Sequence, residues 1–392
     1  MKTLAIPFWP ATLIAVGIMV FIASLFLNEK TTQQDLSPLS PASQRTFMPR
    51  MSSPANNLPS PEKQELGRQL FYDTALSVNN TIACSSCHQQ DKAFTDGKAL
   101  SSGATGELTG RNAMSLANVG FNAAFTWADS SVRSLEQQAL IPLMGLHPLE
   151  MGVTGHEDEI LDRLRAKVHY PPLFSSAFPG ERQSLNWENI VKAIATFQRA
   201  LLSYGSPYDH YVAGDKKAIS ATALRGKTLF LSRELNCSGC HGGHNFRFTL
   251  GHRRDNKDRS VAFHNTGLYN LNPIGDYPQN DRGLMEVSGL PQDMGKFKTP
   301  TLRNVALTAP YMHDGSMETL TEVVQHYARG GRLISQGPNA GDGSLNPLKS
   351  PLITGFELSA ADEAALIEFL GTLTDQHFIT NPRFSSPAGE KL

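Results

Sequence analysis

A mainly α-helical chain built from two related units is the fold class this sequence predicts, and three observations carry it. The pentapeptide Cys84-Ser85-Ser86-Cys87-His88 recurs in the second half as Cys237-Ser238-Gly239-Cys240-His241, and the two copies use all 4 cysteines. Upstream of each stands a Gly-basic-x-Leu-Phe stretch, Gly67-Arg68-Gln69-Leu70-Phe71 and Gly226-Lys227-Thr228-Leu229-Phe230, a weak internal repeat. Around these motifs the apolar residues recur at helical spacing, and strand signals are sparse.

Each element has a chemical or structural reason. Two thiols three positions apart can form thioethers to the vinyl groups of one haem while the next residue supplies an imidazole to its iron. A four-thiolate zinc site or a dithiol redox pair also uses Cys-x-x-Cys, but neither requires the histidine that both copies have. The sequence therefore predicts two covalently attached c-type haems, one on Cys84, Cys87 and His88 and one on Cys237, Cys240 and His241. They would sit in two cytochrome-c-like domains, each opening with a short helix ahead of its attachment loop.

At 392 residues the chain exceeds a single typical domain, and its formal net charge of -1, with both signs mixed along its length, gives no case for nucleic acid. Lys2 precedes an uncharged apolar stretch from Leu4 to Leu27, long enough to cross a bilayer. Phe21-Ile22-Ala23-Ser24-Leu25 is a poor small-x-small cleavage site, so a cleaved signal and a retained membrane anchor are both open for residues 1–28. Either exports the rest of the chain, and the periplasm, where c-type haem is attached, is the expected compartment. Residues 29–60, rich in Ser, Pro, Gln and Asn, read as a flexible tether, residues 61–215 as the first domain and 216–392 as the second.

Within the domains, Ile190, Ile194, Phe197 and Leu201 recur on one face of a helix, with Lys192 and Arg199 elsewhere on it. Ser359, followed three residues later by Asp362 and then by Leu366, Ile367, Phe369 and Leu370, opens a capped amphipathic helix. Between them, residues 246–310 form a long irregular stretch rich in Gly, Pro, Asn and Asp, and its closeness to the second attachment motif favours a functional role.

The second axial position decides what each haem does, because an open site can bind peroxide while a filled one confines the iron to electron transfer or charge storage. From Gln89 to Ala113 there is neither histidine nor methionine, which points to an open first haem, although His147, His156 and His169 stand further along. In the second half, His326 and Tyr327 are adjacent on a predicted helix, so they point about 100° apart and only one can face the iron. Residue type alone favours the histidine.

The attachment motifs, with Gly110-Arg111-Asn112, Leu135-Glu136-Gln137-Gln138-Ala139, Glu150-Met151-Gly152, Lys298-Thr299-Pro300-Thr301-Leu302-Arg303-Asn304 and Pro310-Tyr311-Met312-His313-Asp314-Gly315, together resemble the bacterial diheme cytochrome c peroxidase and MauG superfamily. In that family a methionine fourteen residues after the histidine of the last motif ligates the second haem in the peroxidases, and a tyrosine does so in MauG. Tyr327 stands fourteen residues after His313 here, so the resemblance selects Tyr327 as the second ligand. A phenolate ligand suits storage of oxidising equivalents better than a thioether. The resemblance further implies that Trp127 lies between the haems as a relay, that Gln138, Pro142 and Glu150 form the distal side of the open haem, and that Glu150 is its acid-base group. It also implies a calcium ion between the domains, held by Asn112 and the carbonyls of Thr308 and Pro310.

Within the superfamily, Phe263-His264-Asn265-Thr266-Gly267-Leu268-Tyr269-Asn270 and His326-Tyr327-Ala328-Arg329-Gly330-Gly331 look most like the MbnH branch, MauG-like enzymes that oxidise a tryptophan of a partner protein to kynurenine. The resemblance thus implies a haem-dependent oxidoreductase that uses hydrogen peroxide to form a high-valent bis-haem state and oxidises a residue of a periplasmic protein. Two alternatives stand beside it. One is a cytochrome c peroxidase fed by a small redox protein, and the other a diheme electron-transfer protein without an open iron.

Overall fold

The computed structural model describes residues 31–34, 51–247, 249–250, 260–261 and 263–387, so the apolar stretch of residues 4–27 and most of the first half of the tether lie outside the described residues. Among those described, no helix is long and apolar enough to cross a membrane. The fold is helix-rich, and the strands that occur are two to four residues long, paired in antiparallel twos.

Two helix pairs organise it. In the first half, α1 (Pro61–Tyr72) and α2 (Leu135–Met144) both pack on α5 (Trp187–Ala200), while α3 (Glu157–Ala166) and α4 (Tyr170–Ala177) complete the layer. In the second half, α6 (Ala221–Phe230) packs on α8 (Ala360–Gly371), with α7 (Leu320–Arg329) beside them. Side-chain oxygens set the starts: Ser60, Asn186, Ser220, Thr319 and Ser359 each accept from the backbone N–H three residues on, and so stop the first turn from fraying.

The weak repeat seen in sequence has a packing cause. Gly67 of α1 crosses α5 so closely that a Cβ would run into the Ala193 carbonyl and the Phe197 side chain; Gly226 of α6 crosses α8 against Ala365 and Phe369 in the same way. One turn further along, Phe71 packs on Phe197 with ring centres 5.2 Å apart, and Phe230 packs on Phe369 at 5.3 Å. Gly67→Ala and Gly226→Ala are therefore each expected to cost roughly 1–3 kcal/mol in a urea titration, the usual penalty of overpacking. Gly371→Ala, with open space at its Cβ position, should be neutral or stabilising.

Two expectations need correction. Residues 51–60 are not tether: Met51–Pro54 pairs with Thr31–Gln34, Ser53 and Asn57 have no exposed surface, and the Asn57 amide donates to Glu136 and to the Lys192 carbonyl. Helix α5 is also buried all round from Asn189 to Ala200. Lys192 and Arg199 are buried, and Arg199 meets the carboxylate of Glu136 through two bonds of 2.7 Å. Finally, the C-terminal residues do not stay with the second unit. Phe378 and Phe384 bury themselves beside Phe71, Phe94 and Leu116 of the first unit, and Tyr72 donates to the Phe384 carbonyl at 2.7 Å, because that apolar surface would otherwise face water.

The two units also meet in a buried polar knot. Asn118 and Asn304, both left-handed, sit at equivalent places, their backbone N–H groups donating to the carbonyls of Leu201 and Leu373 just beyond α5 and α8. Their side chains converge on Ser203, which also donates to Asp375 at 3.2 Å. This is a second repeat, Leu116-Ala117-Asn118-Val119 against Leu302-Arg303-Asn304-Val305, whose short polar signal is easily missed without its partners.

Candidate active site between two haem-attachment motifs

Each Cys-x-x-Cys forms one helical turn, Cys84–Cys87 and Cys237–Cys240, with the following histidine leaving the helix. The His88 Nδ1–H donates to the Phe94 carbonyl at 2.8 Å and the His241 Nδ1–H to the Phe246 carbonyl at 3.2 Å. Phe94 and Phe246 both take positive φ, which turns those carbonyls toward the imidazoles. Burial pushes His88 below the ordinary histidine range and His241 down to about 4, so both rings are neutral and, with the proton on Nδ1, carry a lone pair on Nε2. A fixed tautomer with a free Nε2 is the form that binds a metal.

One cavity of about 520 Å³ is lined by Cys84, Cys87 and His88 at one end and by Cys237, Cys240 and His241 at the other. All four cysteines are half-buried and none is in a disulfide. The residues fit two c-type haems, which these motifs would hold through thioethers and through His88 and His241.

The other residues singled out from the sequence also line this cavity. On the His88 side are Gln138, Pro142 and Glu150. Pro142 lies inside α2, and its carbonyl accepts from Met151 N–H at 2.9 Å, which brings the returning chain and Glu150 against the helix end. Burial raises the Glu150 carboxyl above its ordinary value. His147, His156 and His169 are exposed and outside the lining.

On the other side Tyr327 lines the cavity, whereas the adjacent His326 is 4% exposed and points away from it. Trp127 also lines the cavity, its indole N–H donating to the Asn112 carbonyl at 2.8 Å and its own carbonyl accepting from Lys298 N–H at 2.8 Å. Asn112, Thr308 and Pro310 are part of the same wall; the Asn112 amide N–H₂ donates to the Lys98 carbonyl, leaving its oxygen for another partner. Among the described residues no group of three His, Cys, Asp or Glu side chains forms a metal site, so a cation here would depend on amide, hydroxyl and carbonyl oxygens.

Sequence reading passed over a charged cluster that braces this wall. Arg111 donates to Asp281 and Glu286, Asp281 meets His313 Nε2 at 2.8 Å, and the Phe297 ring stacks on His313 with centres 3.4 Å apart. The His313 carbonyl in turn accepts from Asn112 N–H, so the cluster fixes the strand of chain that holds the Trp127 indole. Its members lie 170 or more residues apart from Arg111, beyond the reach of any local pattern.

Comparison with known proteins agrees with this architecture. The family model for di-haem cytochrome c peroxidase matches residues 61–217. The methylamine utilization protein MauG of Methylorubrum extorquens is 32% identical over 342 residues, covering 87% of this chain and 86% of that one. The cytochrome c551 peroxidase of Pseudomonas aeruginosa is 32% identical over 265 residues, covering 68% and 71%. Among solved structures, a MauG-like protein associated with microbial copper homeostasis superposes with a TM-score of 0.86 at 44% identity, covering 90% of this chain and 99% of its own. With two attachment motifs facing one cavity and relatives of this kind along most of its length, the chain belongs to the diheme cytochrome c peroxidase and MauG superfamily and is a haem-dependent, peroxidase-type oxidoreductase.

Proposed function

We propose that this is a MauG-like enzyme that reduces hydrogen peroxide and takes the electrons from a residue, a tryptophan, of a periplasmic partner protein. The observation that carries this reading is Tyr327 in the cavity lining near Cys237 and Cys240, at the position where a peroxidase of the superfamily would present methionine. The likeness to a MauG-like solved structure at 44% identity supports it. The uncharged apolar stretch of residues 4–27 supports export to the periplasm.

When bound, the two haems supply cleavage of the peroxide O–O bond and hold the two oxidising equivalents between them. The chain does the rest. Glu150 takes the proton from the near oxygen of peroxide and returns it to the far oxygen, so that with two further protons and two electrons two waters leave. Gln138 orients the peroxide by hydrogen bonding, and Pro142 narrows the space above it. Trp127, fixed at both its indole and its backbone, passes holes between the two ends, and Tyr327 closes the second end to exogenous ligands. Asn112, Thr308 and Pro310 would hold a calcium ion that keeps this wall in place.

Tyr327→Met tests the reading. The resting enzyme is expected to show one high-spin and one low-spin ferric signal in electron paramagnetic resonance. The variant should shift the low-spin signal, lose peroxide-dependent oxidation of the partner, and gain turnover with a small redox donor. An unchanged low-spin signal would remove Tyr327 from the iron and leave the donor-fed peroxidase as the better account.

A further inference from the structure

Among the described residues, Lys298 and Arg247 are two buried cations without an anion. Lys298 is 3% exposed and lines the cavity, and Arg247 is 7% exposed. The Lys298 amine lies 5.9 Å from the centre of the Trp127 ring and has no carboxylate or hydrogen-bond acceptor among the described residues. Among the described residues the Arg247 guanidinium reaches only neutral oxygens, the Asn122 side chain and the Phe121 carbonyl, and its Nε has no partner. Burial, with Arg247 nearby, pushes the Lys298 amine down to about 7, and burial pushes Arg247 down to about 10.

A cation taken out of water without a counter-ion is among the costliest things a fold can contain, and two that repel each other are costlier still. No acidic group among the described residues pairs with either cation, and Glu150 is the single carboxylate among the described residues lining the cavity. The missing negative charge must come from what the cavity takes up. The only ionised groups on a c-type haem are its two propionates.

We infer that Lys298, backed by the positive charge of Arg247, is the counter-charge for a haem propionate at the junction between the two haem sites, next to Trp127. The pair does two things there. It makes burial of the propionate tolerable, and it sets the charge felt by the haem that carries it. The inference rests on the two haems of the family and not on the proposed partner, so the partner-oxidising reading could fail while this one stands.

The test is a potentiometric titration of the holoenzyme and its Lys298→Gln, Lys298→Arg and Arg247→Gln variants, with haem content per chain measured alongside. Loss of a cation beside a propionate leaves negative charge that favours ferric over ferrous iron. Lys298→Gln should therefore lower the midpoint potential of at least one haem, and Lys298→Arg should restore it. A residue that only packs would move neither. Unchanged midpoints in Lys298→Gln, or a Lys298→Arg enzyme that behaves like Lys298→Gln, would overturn the inference. If Lys298→Gln does not accumulate with both haems, Arg247→Gln decides in its place: a lowered midpoint supports the assignment and an unchanged one rejects it.

Discussion

Replacing Glu150 with glutamine is expected to slow the reaction with hydrogen peroxide by roughly 10²–10⁴-fold, the usual contribution of a positioned acid-base group. Glutamine keeps the shape of the side chain but cannot take a proton. The contacts that place this residue, Ala104 N–H on the Glu150 carbonyl at 2.7 Å and Met151 N–H on the Pro142 carbonyl at 2.9 Å, are backbone bonds that the substitution leaves intact. The wild-type rate should also carry a pH signature. Because burial raises the Glu150 carboxyl, the basic form is lost as pH falls through a value above the ordinary carboxylate range, and the rate should fall with it. Stopped-flow mixing with peroxide across that range measures both effects. A Glu150→Gln enzyme that retains the wild-type rate and profile would move the acid-base role elsewhere.

The second large effect concerns stability. Glu136 and Arg199 are 1% and 4% exposed and joined by two bonds of 2.7 Å, with the Asn57 amide donating to the same carboxylate at 2.6 Å. Glu136→Ala would leave the guanidinium buried with no anion, and such one-sided breaks cost about 3–5 kcal/mol. Burial pushes the Glu136 carboxyl up, but Arg199 and its hydrogen bonds outweigh this and hold it below the ordinary range. Its contribution is thus present at neutral pH and lost as pH falls through that lowered value. Denaturant titrations at neutral and acid pH should show a gap between wild type and Glu136→Ala that narrows on acidification. The double variant Glu136→Leu with Arg199→Met should recover most of the loss, since it removes both charges together. Because Glu136 shares α2 with Gln138 and Pro142, the single variant should also blunt peroxide reactivity.

Much of the site could be read from the chain because its chemistry is local. Five consecutive residues contain a complete haem-attachment unit, and one turn of helix is enough to present it. The choice between His326 and Tyr327 was different in kind. Residue type favoured histidine and resemblance favoured tyrosine, while the fold places Tyr327 in the cavity wall and buries His326 on another face of α7. Adjacent positions on a helix differ by about 100°, so that outcome depends on which face packs, not on which residue binds iron better.

Residues 51–60 looked like tether because polar composition was taken as exposure, and the spacing of Lys192 and Arg199 gave no sign that both are buried. Each is instead half of a pairing whose other half is far away in sequence: Arg199 with Glu136, 63 residues off, and Asn57 with the Lys192 carbonyl, 135 residues off. Lys298, read from sequence only as part of a motif, likewise shows itself as a buried cation only once Trp127 and Arg247 are beside it.

By itself the sequence determined the number of haem sites, the helices that precede them and the types of residue available around them, since periodicity and short spacing are set within a few turns of chain. Only the tertiary structure decided that both sites open into one cavity, that Trp127 lines it, and that the C-terminal residues seal the first unit. Those outcomes depend on long-range burial of apolar surface and pairing of buried charge. Both are summed over residues hundreds of positions apart and leave no local mark.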